Sequence, residues 1–252
     1  MTPFAHRGGA RHPDLEGLEN TLAAFRHAVA LGYRHLETDV HVTRDGVLLA
    51  FHDARLDRVT DLTGAIADLT YDEVRAARVG GSEPVPTLEE LVAAFPGASF
   101  NIDIKSRRAA APLARFIVER GLQERVMVGS FSPAALREFR RVAGPEVPTS
   151  AHPVEVAAFL LAPTGHLARR LTGGRPQALQ VPVRHGRVLV VTRRFVEKAH
   201  EAGVEVHVWT VDDAEEIRRL HHLGVDGIFT DRTDVLRDTL TELGLWTTEE
   251  DS

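Results

Sequence analysis

The chain contains no cysteine, which excludes disulfides and thiolate metal sites and leaves oxygen and imidazole groups as its metal-binding chemistry. Lysine is nearly absent as well. Only Lys105 and Lys198 stand among 30 basic residues, so a lysine in a chemically suggestive position stands out against a background of arginine. An excess of positive charge is also missing: 30 Lys and Arg against 36 Asp and Glu give a net charge of −6. That balance argues against a nucleic-acid or anionic-membrane binder, and any anionic substrate has to be met locally. No apolar run approaches the length of a membrane span, and the start from Met1 to His6 lacks the charged and apolar regions of a signal peptide. A cytoplasmic protein without an integral membrane segment is expected.

What is present is a long alternation of strand-like and helix-like stretches. At 252 residues and 43% hydrophobic content, the chain can build one large domain around a substantial core. Apolar strand patterns fall at 3–6, 34–41, 98–105, 125–131, 147–151, 177–183, 204–210 and 226–230. Helical spacing covers 20–31, 110–120, 133–142, 153–161, 192–202, 213–222 and 233–242. Eight strands alternating with helices predict an α/β fold, a (β/α)8 TIM barrel. A doubly wound open sheet is the alternative, but its glycine-rich phosphate turn is not matched by His6-Arg7-Gly8-Gly9.

The alternation is interrupted between the second and third barrel strands. Residues 43–96 read as a small insertion, with a hairpin from Thr43 to Asp53 turning at Asp45-Gly46 and helices at 71–78 and 88–95. Thr87 and Glu90 have capping-box spacing before the second of these. No linker separates a second domain, so the whole chain is expected to be one domain with the insertion on the face where the strands end. The acidic tail, Thr247 to Ser252, is expected to fray.

Charged residues sit on these apolar strands where they are expensive to bury. Glu37 and Asp39 are two apart, as are Asp103 and Lys105, so each pair points to one side of its strand. His6 and Arg7 end the first strand, and His52 follows the insertion hairpin. Strand ends are where barrel enzymes gather catalytic groups. Three carboxylates, Glu37, Asp39 and Asp103, would make an oxygen-rich site suited to Mg2+ or Ca2+. The structural alternative is an ion pair with arginine at a strand end. His6 and His52 titrate near neutrality and suit proton transfer, while Arg7 and Lys105 suit phosphate oxygens.

In this context the chain resembles the glycerophosphodiester phosphodiesterases. The resemblance runs through Ala5-His6-Arg7-Gly8-Gly9, Glu19-Asn20-Thr21, Glu37-Thr38-Asp39-Val40, Phe51-His52-Asp53 and Val85-Pro86-Thr87-Leu88. It continues through Asn101-Ile102-Asp103-Ile104-Lys105, Val208-Trp209-Thr210-Val211 and Asp226-Gly227-Ile228-Phe229-Thr230-Asp231, in family order over nearly the whole chain. It implies hydrolysis of small glycerophosphodiesters, such as glycerophosphocholine, to glycerol 3-phosphate and an alcohol. By the same resemblance His6 and His52 form the acid-base pair, and Glu37, Asp39 and the Asp103 position bind a divalent cation. Arg7 and Lys105 contact phosphate, and Trp209 walls the glycerol. Glu19 is either a site residue orienting Arg7 or His6 or part of a helix cap, and Phe131 lines the pocket or joins the core. Asp231 is a helix cap or an acceptor behind the site.

Two positions depart from the family pattern. Asp103 stands where glutamate is usual, which shortens a metal ligand by one methylene. Asp212 replaces an asparagine, with an expected effect limited to a helix start. The alternatives within catalysis are a lysophospholipase D-like or other phosphodiesterase on the same barrel, and an amidohydrolase, which would carry His-x-His after the first strand. A non-catalytic phosphate-binding barrel is the alternative outside catalysis. The alcohol head group and oligomeric state are left open by the sequence.

Overall fold

The computed structural model describes residues 1–246; the tail from Thr247 to Ser252 lies outside them. Its strands are β1 (Thr2–His6), β2 (His35–Val42), β3 (Leu48–Ala50), the two-residue β4 (Arg78–Val79) and β5 (Glu83–Pro84), then β6 (Ser99–Ile104) and β7 (Val126–Gly129). β8 (Ala178–Pro182) follows, then the small hairpin β9 (Arg184–His185) and β10 (Val188–Leu189), then β11 (Glu205–Trp209) and β12 (Gly227–Thr230). Seven of these form one curled parallel sheet in the order β7-β6-β2-β1-β12-β11-β8. Residues 149 and 150 join its two ends, Thr149 bridging Val128 and Ser150 bridging Ala178, which gives the TIM-barrel architecture its eighth member.

That eighth member is shorter than the strand expected at 147–151. Pro148 has no N–H to give, and the His152 amide donates to Glu155 Oε2 at 3.0 Å in the cap of the following helix. The backbone between them still bonds to both neighbours, through Ser150 N–H to Val128 O and Ala151 N–H to Ala178 O.

Each barrel strand buries two different faces. Leu36, Val40, Ile102, Ile104, Val128, Val206, Val208 and Ile228 are buried in the main hydrophobic cluster, where each adds roughly 1.5–3 kcal/mol. The alternate positions fill the barrel interior with aromatic and polar groups. Phe4 stacks on Phe229 at 4.3 Å and meets His207 at 5.1 Å, and Gln180 Nε2 donates to Asn101 Oδ1 at 2.6 Å. Gly227 is required in this layer, because a Cβ there would lie 2.8 Å from both Phe4 and His207.

The helices fall close to the expected stretches: α1 (Leu22–Ala30), α2 (Tyr71–Val74), α3 (Leu88–Ala94), α4 (Arg107–Glu119), α5 (Pro133–Ala143) and α6 (Pro153–Leu161). After α7 (Gly165–Leu171) come α8 (Arg193–Glu201), α9 (Ala214–His222) and α10 (Thr233–Glu242). Thr21 caps α1 by accepting from the Ala24 amide, so the cap is neither Glu19 nor Asn20. The Thr87–Glu90 capping box forms as expected. α2 stops at Val74, well short of 78. α7 has no counterpart among the expected helices; its Gly165 packs so closely on α8 that a Cβ would collide with the Lys198 carbonyl.

In the insertion, β3 pairs antiparallel with β2 through Val42 and Leu48, with the turn between them at the expected place. Behind it a second apolar cluster gathers Leu49, Phe51, Leu56, Ile66, Val74 and Val79. The Phe51 amide donates to Asp39 O at 2.9 Å, which anchors the insertion at the carboxyl end of β2.

Candidate active site

Strand register assembles the charged residues. His6 is paired with Glu37 across β1 and β2, and Asp39 with Asp103 across β2 and β6. All lie near the carboxyl ends of their strands, the end at which barrel sites form. The turn after β1 needs Gly8 and Gly9, both at positive φ, where a Cβ would fall 2.7 Å from Ala24 and Thr233 respectively. Arg7 also adopts a positive φ of 50°. Its amide is held by two acceptors on one residue, Glu37 O at 3.0 Å and Glu37 Oε2 at 3.1 Å.

His6 is fixed through Nδ1, which donates to Asp231 Oδ1 at 2.7 Å, and its Nε2 is 3.8 Å from Glu37 Oε2. Burial lowers the pKa of this imidazole, but Glu37 and Asp231 outweigh burial and leave it raised. Asp231 is therefore an acceptor behind the site and not a helix cap. Asp212 holds it in place: Oδ1 accepts from Thr230 Oγ1 at 2.9 Å and from the Asp231 amide at 2.8 Å. The expectation that Asp212 matters only for a helix start is corrected by these bonds, since the α9 cap is Asp213.

His52 has the same arrangement, with Nδ1 donating to Asp53 Oδ1 at 2.6 Å. Asp53 Oδ2 accepts from Arg58 Nε at 2.5 Å, and Arg58 makes a two-pronged contact with Glu19 at 2.6 and 2.9 Å. Glu19 in turn reaches Arg7 Nη1 at 3.3 Å. One insertion residue thus connects the acid behind His52 to the acid behind Arg7. Hydrogen bonds from Arg58 and His52 offset burial and lower the pKa of Asp53.

Asp39 is the electrostatic hub. Burial alone would raise its pKa, but Lys105, Arg7 and His52 lower it, and Asn20 Nδ2 donates to Oδ2 at 3.0 Å. Lys105 Nζ lies between Asp39 Oδ1 at 2.9 Å and Asp103 Oδ2 at 2.7 Å. Arg7 Nε is buried 3.1 Å from Asp39 Oδ2, an ion pair without hydrogen-bond alignment. Glu37 differs sharply: desolvation and the neighbouring Asp39 raise its pKa to about 7, against the smaller opposing effects of His6, Arg7 and Lys105. Opposite this cluster, the exposed Phe131 is edge-on to Trp209 at 5.6 Å, and its ring lies 5.9 Å from Lys105 Nζ. Phe131 is 60% exposed and is not a core residue.

The charge balance bears on what the mouth can hold. Glu19, Glu37, Asp39, Asp53, Asp103 and Asp231 face Arg7, Arg58 and Lys105, with Arg11 reaching Asp231 from solvent at 3.7 Å. This acidic excess fits a hard divalent cation by the chemistry of the donors. Among the described residues, the trio whose donor atoms approach within 4.8 Å of one another is a different one, His12, Asp14 and His27. Glu37, Asp39 and Asp103 stand farther apart, with Lys105 Nζ between the two aspartates.

Sequence reasoning did not find Arg58, Asn20 as a carboxylate donor, or Gln180 in the barrel interior. Arg58 lies in a polar stretch whose pattern gives no sign of its two acidic partners. A chain with two histidines and a group of carboxylates at the carboxyl-terminal mouth of a parallel barrel has the build of a barrel enzyme.

Comparison with known proteins gives the family. The glycerophosphoryl diester phosphodiesterase family model matches residues 6–235. A Mycobacterium tuberculosis protein named probable glycerophosphodiester phosphodiesterase 2 is 41% identical over 229 residues, covering 90% of this chain and 87% of the relative. A glycerophosphodiester phosphodiesterase of Caldanaerobacter subterraneus is 32% identical over 247 residues, covering 92% and 95%. The crystal structure of a glycerophosphodiester phosphodiesterase from Agrobacterium tumefaciens is similar with a TM-score of 0.77 and 26% identity, covering 94% of this chain and 99% of that one. The chain belongs to the glycerophosphoryl diester phosphodiesterase family.

Proposed function

We propose that this protein hydrolyses glycerophosphodiesters to glycerol 3-phosphate and an alcohol, with His6 and His52 transferring the protons. The observation that carries this reading is the matched pair of histidines, each held through Nδ1 by an aspartate, Asp231 for His6 and Asp53 for His52. With Nδ1 engaged, proton exchange with substrate falls to Nε2 of each ring. One histidine takes the proton of the nucleophile as a new P–O bond forms; the nucleophile is water, or the glycerol hydroxyl next to the phosphate, in which case water then opens the resulting cyclic phosphate to glycerol 3-phosphate. The bond from phosphorus to the alcohol oxygen breaks, and the other histidine protonates the departing alkoxide.

Arg7 and Lys105 remain cationic, because burial is outweighed by Asp39 and further neighbouring carboxylates, and both keep raised pKa values. They are placed to offset charge on the phosphoryl oxygens. Trp209 and Phe131 supply an apolar wall for the glycerol side of the substrate. Glu37, Asp39 and Asp103 would hold a divalent cation, Mg2+ or Ca2+. When bound, that ion supplies Lewis-acid polarisation of a phosphoryl oxygen and a ligand position for a glycerol hydroxyl. The chain is read as one domain, with residues 43–96 an insertion that brings His52, Asp53 and Arg58 to the mouth.

The test is release of glycerol 3-phosphate from glycerophosphocholine in the presence of Mg2+ or Ca2+. Turnover that EDTA abolishes and either ion restores supports the reading. Absence of turnover with both ions, or full activity after metal removal, contradicts it.

A further inference from the structure

Away from the mouth, the segment following the Gly8–Gly9 turn meets α1 in a group of two imidazoles and a carboxylate. His12 precedes the short turn Pro13–Leu15, Asp14 lies inside that turn, and His27 lies in the last turn of α1. One donor atom from each comes within 4.8 Å of the other two. His12 Nδ1 is 3.8 Å and His27 Nε2 is 3.9 Å from Asp14 Oδ2, and the two rings are 4.3 Å apart between centroids.

We infer that His12, Asp14 and His27 form a transition-metal site, with Zn2+ as its preferred occupant, distinct from the oxygen-ligand cation site of the mouth. Two imidazoles and one carboxylate suit Zn2+, whereas Mg2+ and Ca2+ favour oxygen ligands alone. His12 Nδ1 accepts from the Asp14 amide at 3.2 Å, and a metal bound at that nitrogen would replace this capping bond.

His27 supplies the independent observation. Its Nδ1 is buried with no hydrogen-bond partner, and its Nε2 is too far from Asp14 to form one. Nε2, the nitrogen nearest Asp14, is thus left open to a ligand from outside the chain. With Zn–N and Zn–O bonds near 2.0–2.2 Å, tetrahedral ligand atoms sit about 3.3–3.6 Å apart, so Asp14 Oδ2 must close on His12 Nδ1 and His27 Nε2 by only a few tenths of an ångström. Asp14 can supply that movement, since its side chain is 76% exposed.

The site would fasten the loop after β1 to α1. That loop is tied to the mouth by the bonds from His12 N–H to Gly9 O and from Arg11 N–H to Asp231 O, each 3.0 Å. Metal binding would therefore stabilise the turn that carries His6 and Arg7 without touching substrate.

The experiment measures Zn2+ equivalents retained by the metal-stripped full chain in equilibrium dialysis, together with the rise in Tm on adding Zn2+. His12→Ala and His27→Gln should each bind one equivalent fewer than the unmodified protein and lose the associated Tm rise. Glu119→Gln, on the exposed side of α4 and part of neither site, should keep both. Asp14→Asn, an exposed change that leaves the packing intact, should weaken the same equivalent and serves if a histidine variant fails to fold. Equal equivalents and an equal Tm rise in the unmodified protein and in these variants would overturn the inference.

Discussion

His6 and Asp231 are 225 residues apart in sequence and 2.7 Å apart in space, joined by a bond from Nδ1 to Oδ1 that closes the first barrel strand onto the last. The bond occupies Nδ1 and leaves Nε2 as the other nitrogen of His6, and it raises the imidazole pKa against the opposing effect of burial. Asp231→Asn should therefore lower kcat by roughly 10²-fold with little change in KM. Because Asp231 raises the His6 pKa, the limb of the pH–rate profile belonging to His6 should move to lower pH. Steady-state kinetics over a pH series check both outcomes.

Arg58 acts through other residues, holding Asp53 behind His52 and Glu19 behind Arg7. Arg58→Ala should loosen both and cost up to about 10²-fold in kcat. Arg58→Lys keeps the charge but cannot reproduce a fork that reaches two carboxylates, so it should recover only part of the loss. A charge-only role predicts full rescue by lysine, and the kinetics of the two variants decide between them.

Asp39 is 1% exposed and is the shared counter-charge of Arg7 and Lys105. Asp39→Ala should destabilise the fold by about 3 kcal/mol, since it leaves two largely buried cations without a common partner. Denaturant unfolding measures this directly, and a change within experimental error would show that Lys105 is held adequately by Asp103 alone.

Buried titratable groups pull stability in opposite directions on mild acidification. His35 and His41 are held below the ordinary 6.5, in both cases chiefly by burial, with His207 also lowering His35. At these two sites the unfolded chain binds more protons below 6.5, so their contribution declines as pH drops through that value, while Glu37, raised to about 7, and His6, also raised, take up protons in the folded chain first and add stability over the same window. Asp39, lowered to about 2, keeps its contribution through this window and loses it only in stronger acid. In thermal melts, His35→Gln should raise Tm near about pH 5 relative to Tm near about pH 7.5 when compared with the unmodified protein, and Glu37→Gln should do the reverse.

Much of the fold was legible because its signals are local. The 2-residue and 3.6-residue periods located seven barrel strands and most helices, and the Thr87–Glu90 box announced its helix. The run at 147–151 was harder to read, because proline and a helix cap consume the amides a ladder needs. α7 was missed because Gly165-His166-Leu167-Ala168-Arg169-Arg170-Leu171 is too short and polar to show a face.

In the site, strand-end positions were readable from spacing, but partnerships across the barrel were not. Nothing near Arg58 indicates Glu19, 39 residues away, and nothing near Asp212 shows that its carboxylate holds the Asp231 amide. Lys105 between Asp39 and Asp103 is likewise a product of register. The period of each strand was visible, while its alignment with the next depended on the packed barrel.

The most direct test of the central claim is glycerol 3-phosphate release from glycerophosphocholine by the unmodified protein, His6→Ala and His52→Ala, with each variant's fold checked by circular dichroism. Folded variants that each lose roughly 10²-fold or more in rate are the predicted result. Near-normal turnover in both variants would contradict the assignment of the two histidines.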